Sequence, residues 1–433
     1  MKTFSILTLG CKVNSYESEA LINKLIDKGY YLKNFNELCD VYIVNSCTVT
    51  KTSDQKSRQM LHAARRNNPN AVVVVMGCYS QLNLVEVSKL ADIVIGTNNK
   101  LDVVNLIESY LETKKQIINI TDVLNNPKYE EMKVNVLKTH TRAFIKVQDG
   151  CENYCSYCAI PYSRGKIRSR IPDNVIDEIN NLVKQGTKEV ILAGINTGTY
   201  GKDLGNITLA GLITRIMEET SIYRLRLSSI ELMEITDELL ETLVKYSSRI
   251  ANHLHIPCQG GSESVLRRMN RKYTIEEYEN RLSDIRKLFP DIAVTTDILA
   301  GFVGETEEEF KETLSFINRC KFYEMHVFPY SRRSGTVADS LEGHLDKSVI
   351  TLRAKEISNL AVKLKEEYIN KYINQSVYVL VEAKKKNYWH GHTSNYLDVY
   401  FESNDLLENK IVKVKIKSYQ NNIIFGEMEE IYE

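Results

Sequence analysis

Cys151, Cys155 and Cys158 fall in the stretch DGCENYCSYCAIPYSRG, with three residues and then two between them and a tyrosine just before the last. Three soft thiolates so spaced suit three irons of a 4Fe-4S cube, whose fourth iron has no cysteine and can take a small ligand. A zinc knuckle is the alternative. It needs a fourth Cys or His and a closed tetrahedral shell, but none follows within thirty residues and His140 lies ahead of a strand.

A second set is spread along the first 120 residues, where apolar strands (FSILTLG, VYIVNSC, AVVVVMGC, ADIVIG) alternate with amphipathic helices. That rhythm predicts a small parallel sheet. Cys11 follows TLG, Cys47 follows VNS and Cys78 follows VMG. Open α/β sheets take their ligands at the carboxyl ends of their strands, so three cysteines distant in sequence converge on one edge. A second cluster with three protein ligands is the sharper reading. Burial as small hydrophobes is the other, and it suits Cys39 and Cys320.

From residue 137 to 367 the strands TRAFIKVQDG, EVILAG, YRLRLSS, NHLHIP, AVTTDILAG and EMHVFPYS alternate with helical stretches. The pattern suggests an open (β/α)6 barrel with cofactor residues at its strand ends. A long helix leads to 372–433, where the alternating segments VYVLVEA, YLDVYFE, KIVKVKIKSYQ and NNIIFGEMEE predict a small all-β barrel. The fold class is therefore α/β with a terminal all-β domain, divided as 1–120, 137–367 and 372–433.

Composition narrows the partners and the compartment. The 433 residues are 43% hydrophobic, ordinary for a chain with true cores, and 56 basic residues balance 56 acidic ones. A nucleic acid must therefore be met by local patches, not a global field. No apolar run reaches eighteen residues, which excludes an ordinary membrane span, and MKTFSILTLG reads as a first strand instead of a signal peptide. Nine cysteines, six of them in iron–sulfur patterns, imply a reducing compartment, expected to be the cytoplasm.

The whole chain resembles the radical S-adenosylmethionine methylthiotransferases. The resemblance rests on GCKVN at 10–14 with SYESE after it, CENYCSYCAIPYSRGKIRSR, GINTGTYG, LSSIEL, HLHIPCQGGSESVLRRMNRKYT, DILAGFVGETEEEF and HVFPYSRRSGTVA, in the family's order. It implies an N-terminal cluster-binding domain, a central radical SAM barrel and a C-terminal TRAM domain. It also implies two 4Fe-4S clusters, held by Cys11, Cys47 and Cys78 and by Cys151, Cys155 and Cys158, with S-adenosylmethionine on the open iron of the second. GCKVN resembles the enzymes acting on threonylcarbamoyladenosine-37 in the tRNA anticodon stem-loop, with an electron from a flavodoxin- or ferredoxin-like donor. Isopentenyladenosine-37 tRNA or a ribosomal-protein aspartate is the alternative substrate. Leu232, Gly260 and Val303 depart from the family's usual proline, serine and proline.

By the same resemblance Gly194, Asn196, Glu231, Gln259, Gly301 and Gly304, all just past barrel strands, would contact S-adenosylmethionine. Taken alone, each is equally an ordinary turn, cap or loop residue. Three basic groups also lie near strand ends: Arg164, Lys166, Arg168 and Arg170; Arg267, Arg268, Arg271 and Lys272; Arg332 and Arg333. They are expected to reach RNA phosphates. Lys384, Lys385 and Lys386 with Tyr388 and Trp389 would add charge and stacking surface for a single-stranded loop; a solvated hairpin tip is the alternative.

Overall fold

The computed structural model describes residues 2–125, 128–138 and 140–432; positions 1, 139 and 433, inside the segments expected above, lie outside the described residues. Six parallel strands form the first sheet, in the order Tyr31–Leu32, Thr3–Thr8, Val41–Ser46, Val72–Gly77, Ile93–Ile95, Ile117–Asn119. The two central strands, VYIVNS and VVVVMG, are buried at every position. Helices cover both faces of such a sheet, so its strands are apolar without alternation. Leu21, Leu25 and Ile107 pack on one face, Leu61, Ala64 and Val87 on the other, and each fully buried Val, Leu or Ile contributes about 1.5–3 kcal/mol.

The central region is an arc of six parallel strands: Ala143–Lys146, Glu189–Ala193, Arg224–Leu227, His253–His255, Ala293–Ala300 and Glu324–Pro329. Isolated pairings of Leu225 with Ile250 and Ser229 with His255 join its two halves. Among the described residues the last strand does not pair with the first, so the barrel is open. Alternation sorts its faces. Ala143, Ile145, Val190, Leu192, Leu225 and Leu227 join an apolar core with the outer helices, whereas Arg142, Glu189, Arg224 and Arg226 form ion pairs on the opposite, inner face. The lumen is accordingly polar.

The terminal region closes into a five-stranded barrel, Ser376–Lys385, Tyr388–Thr393, Asp398–Glu402, Ile423–Ile431 and Ile411–Gln420 in spatial order. Tyr388–Thr393 is a strand beyond the four expected. This barrel seals the base of the arc. Arg226 donates to the carbonyls of Thr393 and Ser394 at 3.0 Å, and Tyr396 stacks on His253 with ring centroids 4.6 Å apart. Among the described residues no helix is long and apolar enough to cross a membrane.

Candidate active site

Cys11 is the N-cap of the helix Lys12–Asp27, Cys47 follows strand Val41–Ser46, and Cys78 opens the helix Cys78–Leu82. The strands before them are neighbours in the sheet, so the three reach one edge as expected. Gly10 (φ +102°) makes the convergence possible, because a Cβ there would lie 2.8 Å from Cys47 Sγ. Asn14 ties the strand ends together, donating to the carbonyls of Leu9 at 2.7 Å and Ser46 at 3.2 Å. Cys11 is exposed at this edge, whereas burial, with Cys78 nearby, pushes the Cys47 thiol up to about 12.

The second set lies on the loop after strand Ala143–Lys146. Ser156 pins it by donating twice, from N to the Met269 carbonyl at 3.0 Å and from Oγ to the Arg268 carbonyl at 2.8 Å. Tyr157 meets Phe302 edge-on at 6.2 Å. Burial raises Cys151 to about 11, and Cys158 to about 12 with Cys155 adding to it. Arg271 Nη1 donates to Cys155 Sγ at 3.4 Å and to Glu231 Oε1 at 3.1 Å.

Of the basic group after the cysteine loop, only Lys166 is exposed. Arg164, Arg168 and Arg170 are fully buried, held by carboxylates that sequence reasoning missed. Arg164 Nη1 lies 2.9 Å from Glu17 and 3.2 Å from Asp149; Lys146 lies 2.9 Å and 2.7 Å from the same two; Arg168 reaches Asp149 at 3.2 Å and Lys100 pairs with Glu17. Arg170 pairs with Glu131 and Glu178. Arg268 and Arg333 are likewise occupied, by Glu309 and Asp54, while Lys166, Arg267, Lys272 and Arg332 remain exposed. Trp389 is buried with Lys384 over its ring, so it offers no free stacking face.

Of the residues expected at S-adenosylmethionine, Asn196 fits a ligand contact best: its side chain is buried and neither amide atom has a partner among the described residues. Glu231 is engaged by Arg271 but keeps 21% of its side chain exposed, leaving lone pairs for a further donor. Gln259 has a left-handed backbone (φ +63°) and pairs with Ile298. The glycines answer to internal contacts. A Cβ on Gly194 would meet Gln148 at 2.9 Å, one on Gly301 would meet Ile350 at 2.8 Å, and on Gly304 the nearest atom is Arg268 Nε at 3.9 Å. The three departures from the family pattern sit in packing positions: Leu232 and Val303 are core residues, and a Cβ on Gly260 would touch Val265 at 3.3 Å.

These residues suit iron–sulfur cubes and a polar cofactor. All nine cysteines are free, and among the described residues neither trio is drawn within 4.8 Å as ligands of a single ion would be. Four cations (Lys100, Lys146, Arg164, Arg168) meet two carboxylates (Glu17, Asp149) beside the first trio, a buried positive excess that anionic sulfur offsets. Thiols raised by burial give up their protons when a metal takes their place.

Residues 3–96 match the family described as Uncharacterized protein family UPF0004, and residues 145–317 the Radical SAM superfamily. The chain is 42% identical over 424 residues, 96% of this chain and 94% of the relative, to threonylcarbamoyladenosine tRNA methylthiotransferase MtaB of Bacillus subtilis (strain 168). It is 34% identical, over 99% of this chain and 93% of the relative, to tRNA-2-methylthio-N(6)-dimethylallyladenosine synthase of Thermoanaerobacter pseudethanolicus (strain ATCC 33223 / 39E). In fold it is similar to the radical S-adenosylmethionine methyltransferase TsrM of Kitasatospora setae, with a TM-score of 0.56, 15% identity and coverage of 79% of this chain and 76% of that one. With its two cysteine sets at the strand ends of a parallel sheet and of an open barrel, and with relatives of this identity along nearly its whole length, the chain belongs to the radical S-adenosylmethionine methylthiotransferase family.

Proposed function

We propose that this protein inserts a methylthio group at C2 of N6-threonylcarbamoyladenosine-37 in tRNA. The observation that carries the proposal is the pair of cysteine sets, each with a buried guanidinium on one sulfur, in a chain 42% identical to an MtaB. Cys11, Cys47 and Cys78 would hold one 4Fe-4S cluster and Cys151, Cys155 and Cys158 the other. Such clusters with S-adenosylmethionine supply sulfur and the one-electron chemistry that an unactivated aromatic carbon requires.

The protein's own groups hold and shield. Arg164 and Arg271 would offset the negative charge of cysteine sulfur through charge-assisted hydrogen bonds. Asn196, Glu231 and Gln259 would receive the polar groups of S-adenosylmethionine, and Gly194, Gly301 and Gly304 would shape the strand-end turns around it. The terminal barrel, wedged under the arc by Tyr396, leaves the opposite end to the modified base and excludes water from below. Segments 1–120, 137–367 and 372–433 would act as cluster-binding, radical and RNA-gripping domains. Action in the cytoplasm, with an electron from a flavodoxin- or ferredoxin-like donor, belongs to the same proposal.

The test offers reduced protein and S-adenosylmethionine three tRNAs, unmodified, threonylcarbamoylated and isopentenylated, and reads residue 37 by mass spectrometry. Methylthiolation confined to the threonylcarbamoylated RNA is expected. Preference for the isopentenylated RNA, or activity on a ribosomal protein alone, defeats the assignment.

A further inference from the structure

One carboxylate on the inner face of the arc is left alone by the arginines there. Alternation points His255, Asp297 and His326 inward, because their neighbours Leu254, Ile298 and Met325 belong to the apolar core under the outer helices. Asp297 lies in register with His326 on the next strand, and His255 comes from the strand on its other side. Glu189, on the same inner face, is met by Arg142, Arg224 and Arg226. Among the described residues Asp297 pairs with no lysine or arginine; its partner is His255, whose Nε2 lies 3.4 Å from Asp297 Oδ2.

The spacing suits an ion between these groups better than a direct hydrogen bond. An N–H···O pair closes to about 2.7–3.2 Å, whereas two ligand bonds of about 2.0–2.2 Å at a tetrahedral angle span about 3.4 Å. The third donor is in reach: ligand atoms of His255, Asp297 and His326 all lie within 4.8 Å of one another, and the two imidazole rings have centroids 5.9 Å apart. The other nitrogen of His255 is already engaged, with Thr295 Oγ1 at 2.9 Å from Nδ1. Thr295 is itself buried and also meets His253 Nε2 at 3.0 Å. With Thr295 accepting from the Nδ1–H of His255, Nε2 keeps its lone pair on the side of Asp297, the way metal-ligating histidines are held. Two imidazoles and a carboxylate suit a divalent first-row ion such as zinc or iron(II).

We propose that His255, Asp297 and His326 bind a divalent first-row transition-metal ion inside the barrel, at a site that shares no ligand with either cysteine set. Three protein ligands leave a tetrahedral ion one position open. His326 is exposed and Asp297 keeps 25% of its side chain exposed, so that position opens into the lumen. There it would take an oxygen donor of the molecule being modified, polarising or orienting it. The inference is independent of which nucleoside that molecule carries.

The experiment titrates cobalt(II), a stand-in for zinc, into untagged full-length protein with both clusters loaded and oxidised to their diamagnetic 2+ state. Bound cobalt is counted by metal analysis after desalting and read by its high-spin paramagnetic resonance, which the oxidised clusters do not obscure. Wild-type protein should take up about one cobalt per chain, with zinc competing for it. Asp297→Asn and His326→Ala should each weaken binding at least about tenfold, and the double variant should bind none. Thr295→Val, which keeps the shape of the side chain but removes the acceptor behind His255, should weaken it about tenfold. Iron content should be unchanged in all of them, and His326→Ala, at an exposed position, tests the site without disturbing a core. A wild-type protein that retains no cobalt, a His326→Ala protein that binds it as tightly as wild type, or cobalt that persists in the double variant overturns the site.

Discussion

Arg164 Nε donates to Cys78 Sγ at 3.2 Å, although the two residues are 86 positions apart. Arg164 ends the helix Ile160–Arg164 that follows the second cysteine loop, so the segment after the second cysteine set places a guanidinium on the first. The same side chain reaches Asn14 Oδ1 at 2.6 Å, joining the GCKVN segment to the barrel. Replacing it with methionine leaves Lys100, Lys146 and Arg168 to satisfy Glu17 and Asp149 but removes the cation from sulfur. Arg164→Met should therefore fold and lose iron from the first set, falling from about eight irons per chain toward about four. Iron analysis against a Cys11, Cys47, Cys78 triple alanine variant checks this; undiminished iron in both proteins would count against a cluster at that edge.

Cys155 accepts from Arg271 in the same way, and its loss removes one ligand of the set beside Glu231. Cys155→Ala should not cleave S-adenosylmethionine to 5'-deoxyadenosine under dithionite. Cys39→Ala and Cys320→Ala should retain cleavage, since both are buried in apolar cores and belong to neither trio. Chromatography of the nucleoside product separates the two outcomes.

The cysteine sets were legible because their signals are local: a short spacing in one case, strand ends in the other. The six-strand arc followed from apolar runs alternating with helices. The charge network was not legible, since Glu17, Asp149 and Arg164 meet only after two regions pack together. A run such as RGKIRSR reads as a solvated or phosphate-binding face until its carboxylates are found elsewhere in the chain. Strand Tyr388–Thr393 was hidden because Gly391 and two histidines interrupt the apolar alternation that Tyr388, Trp389 and Thr393 would otherwise mark as a strand. Its Gly391 is required instead by the neighbouring strand, where a Cβ would lie 1.9 Å from the Leu380 carbonyl oxygen.

Although burial opposes its ionisation, Glu17 is held well below the usual carboxylate range by Arg164, Lys100 and Lys146. A carboxyl depressed on folding contributes stability that is complete above its unfolded value, about 4.5, and is lost as pH falls below it. Cluster-free protein should therefore melt earlier as pH drops from about 5 to about 3. Glu17→Gln leaves Lys100 without its carboxylate and Lys146 and Arg164 with Asp149 alone, and should cost about 3–5 kcal/mol at neutral pH, with a shallower acid dependence. Thermal melts across that range measure both; an unchanged melting temperature in the variant at pH 7 would remove the network from the sources of stability.

Lys384, Lys385 and Lys386 are exposed at a hairpin tip, the first two over the rings of Trp389 and Tyr400. With Trp389 covered, their contribution to RNA is charge. Changing all three to alanine should weaken every tRNA alike, whatever residue 37 carries, and reduce the salt slope of log K by about 0.7 for each phosphate no longer neutralised. Titrations at several salt concentrations decide it, and an unaltered slope would place the RNA elsewhere.

Glu231 and Arg271 separate cofactor binding from cluster retention. Arg271 is pinned by Glu231 and by Tyr273, whose ring centroid lies 5.0 Å from the guanidinium carbon, while it donates to Cys155. Glu231→Gln removes a charged acceptor from the cofactor side but leaves the ring contact and the sulfur hydrogen bond in place. Iron content should hold, and affinity for S-adenosylmethionine should fall about tenfold, the usual scale for removing a hydrogen bond to a charged group. Arg271→Ala should do the reverse: the second set loses its cation, iron drops, and Glu231 is left free to meet the ammonium of the cofactor. Iron analysis and equilibrium binding on the same two proteins test the division. Equal iron loss in both variants would mean that Glu231 acts only through Arg271 and has no role at the cofactor.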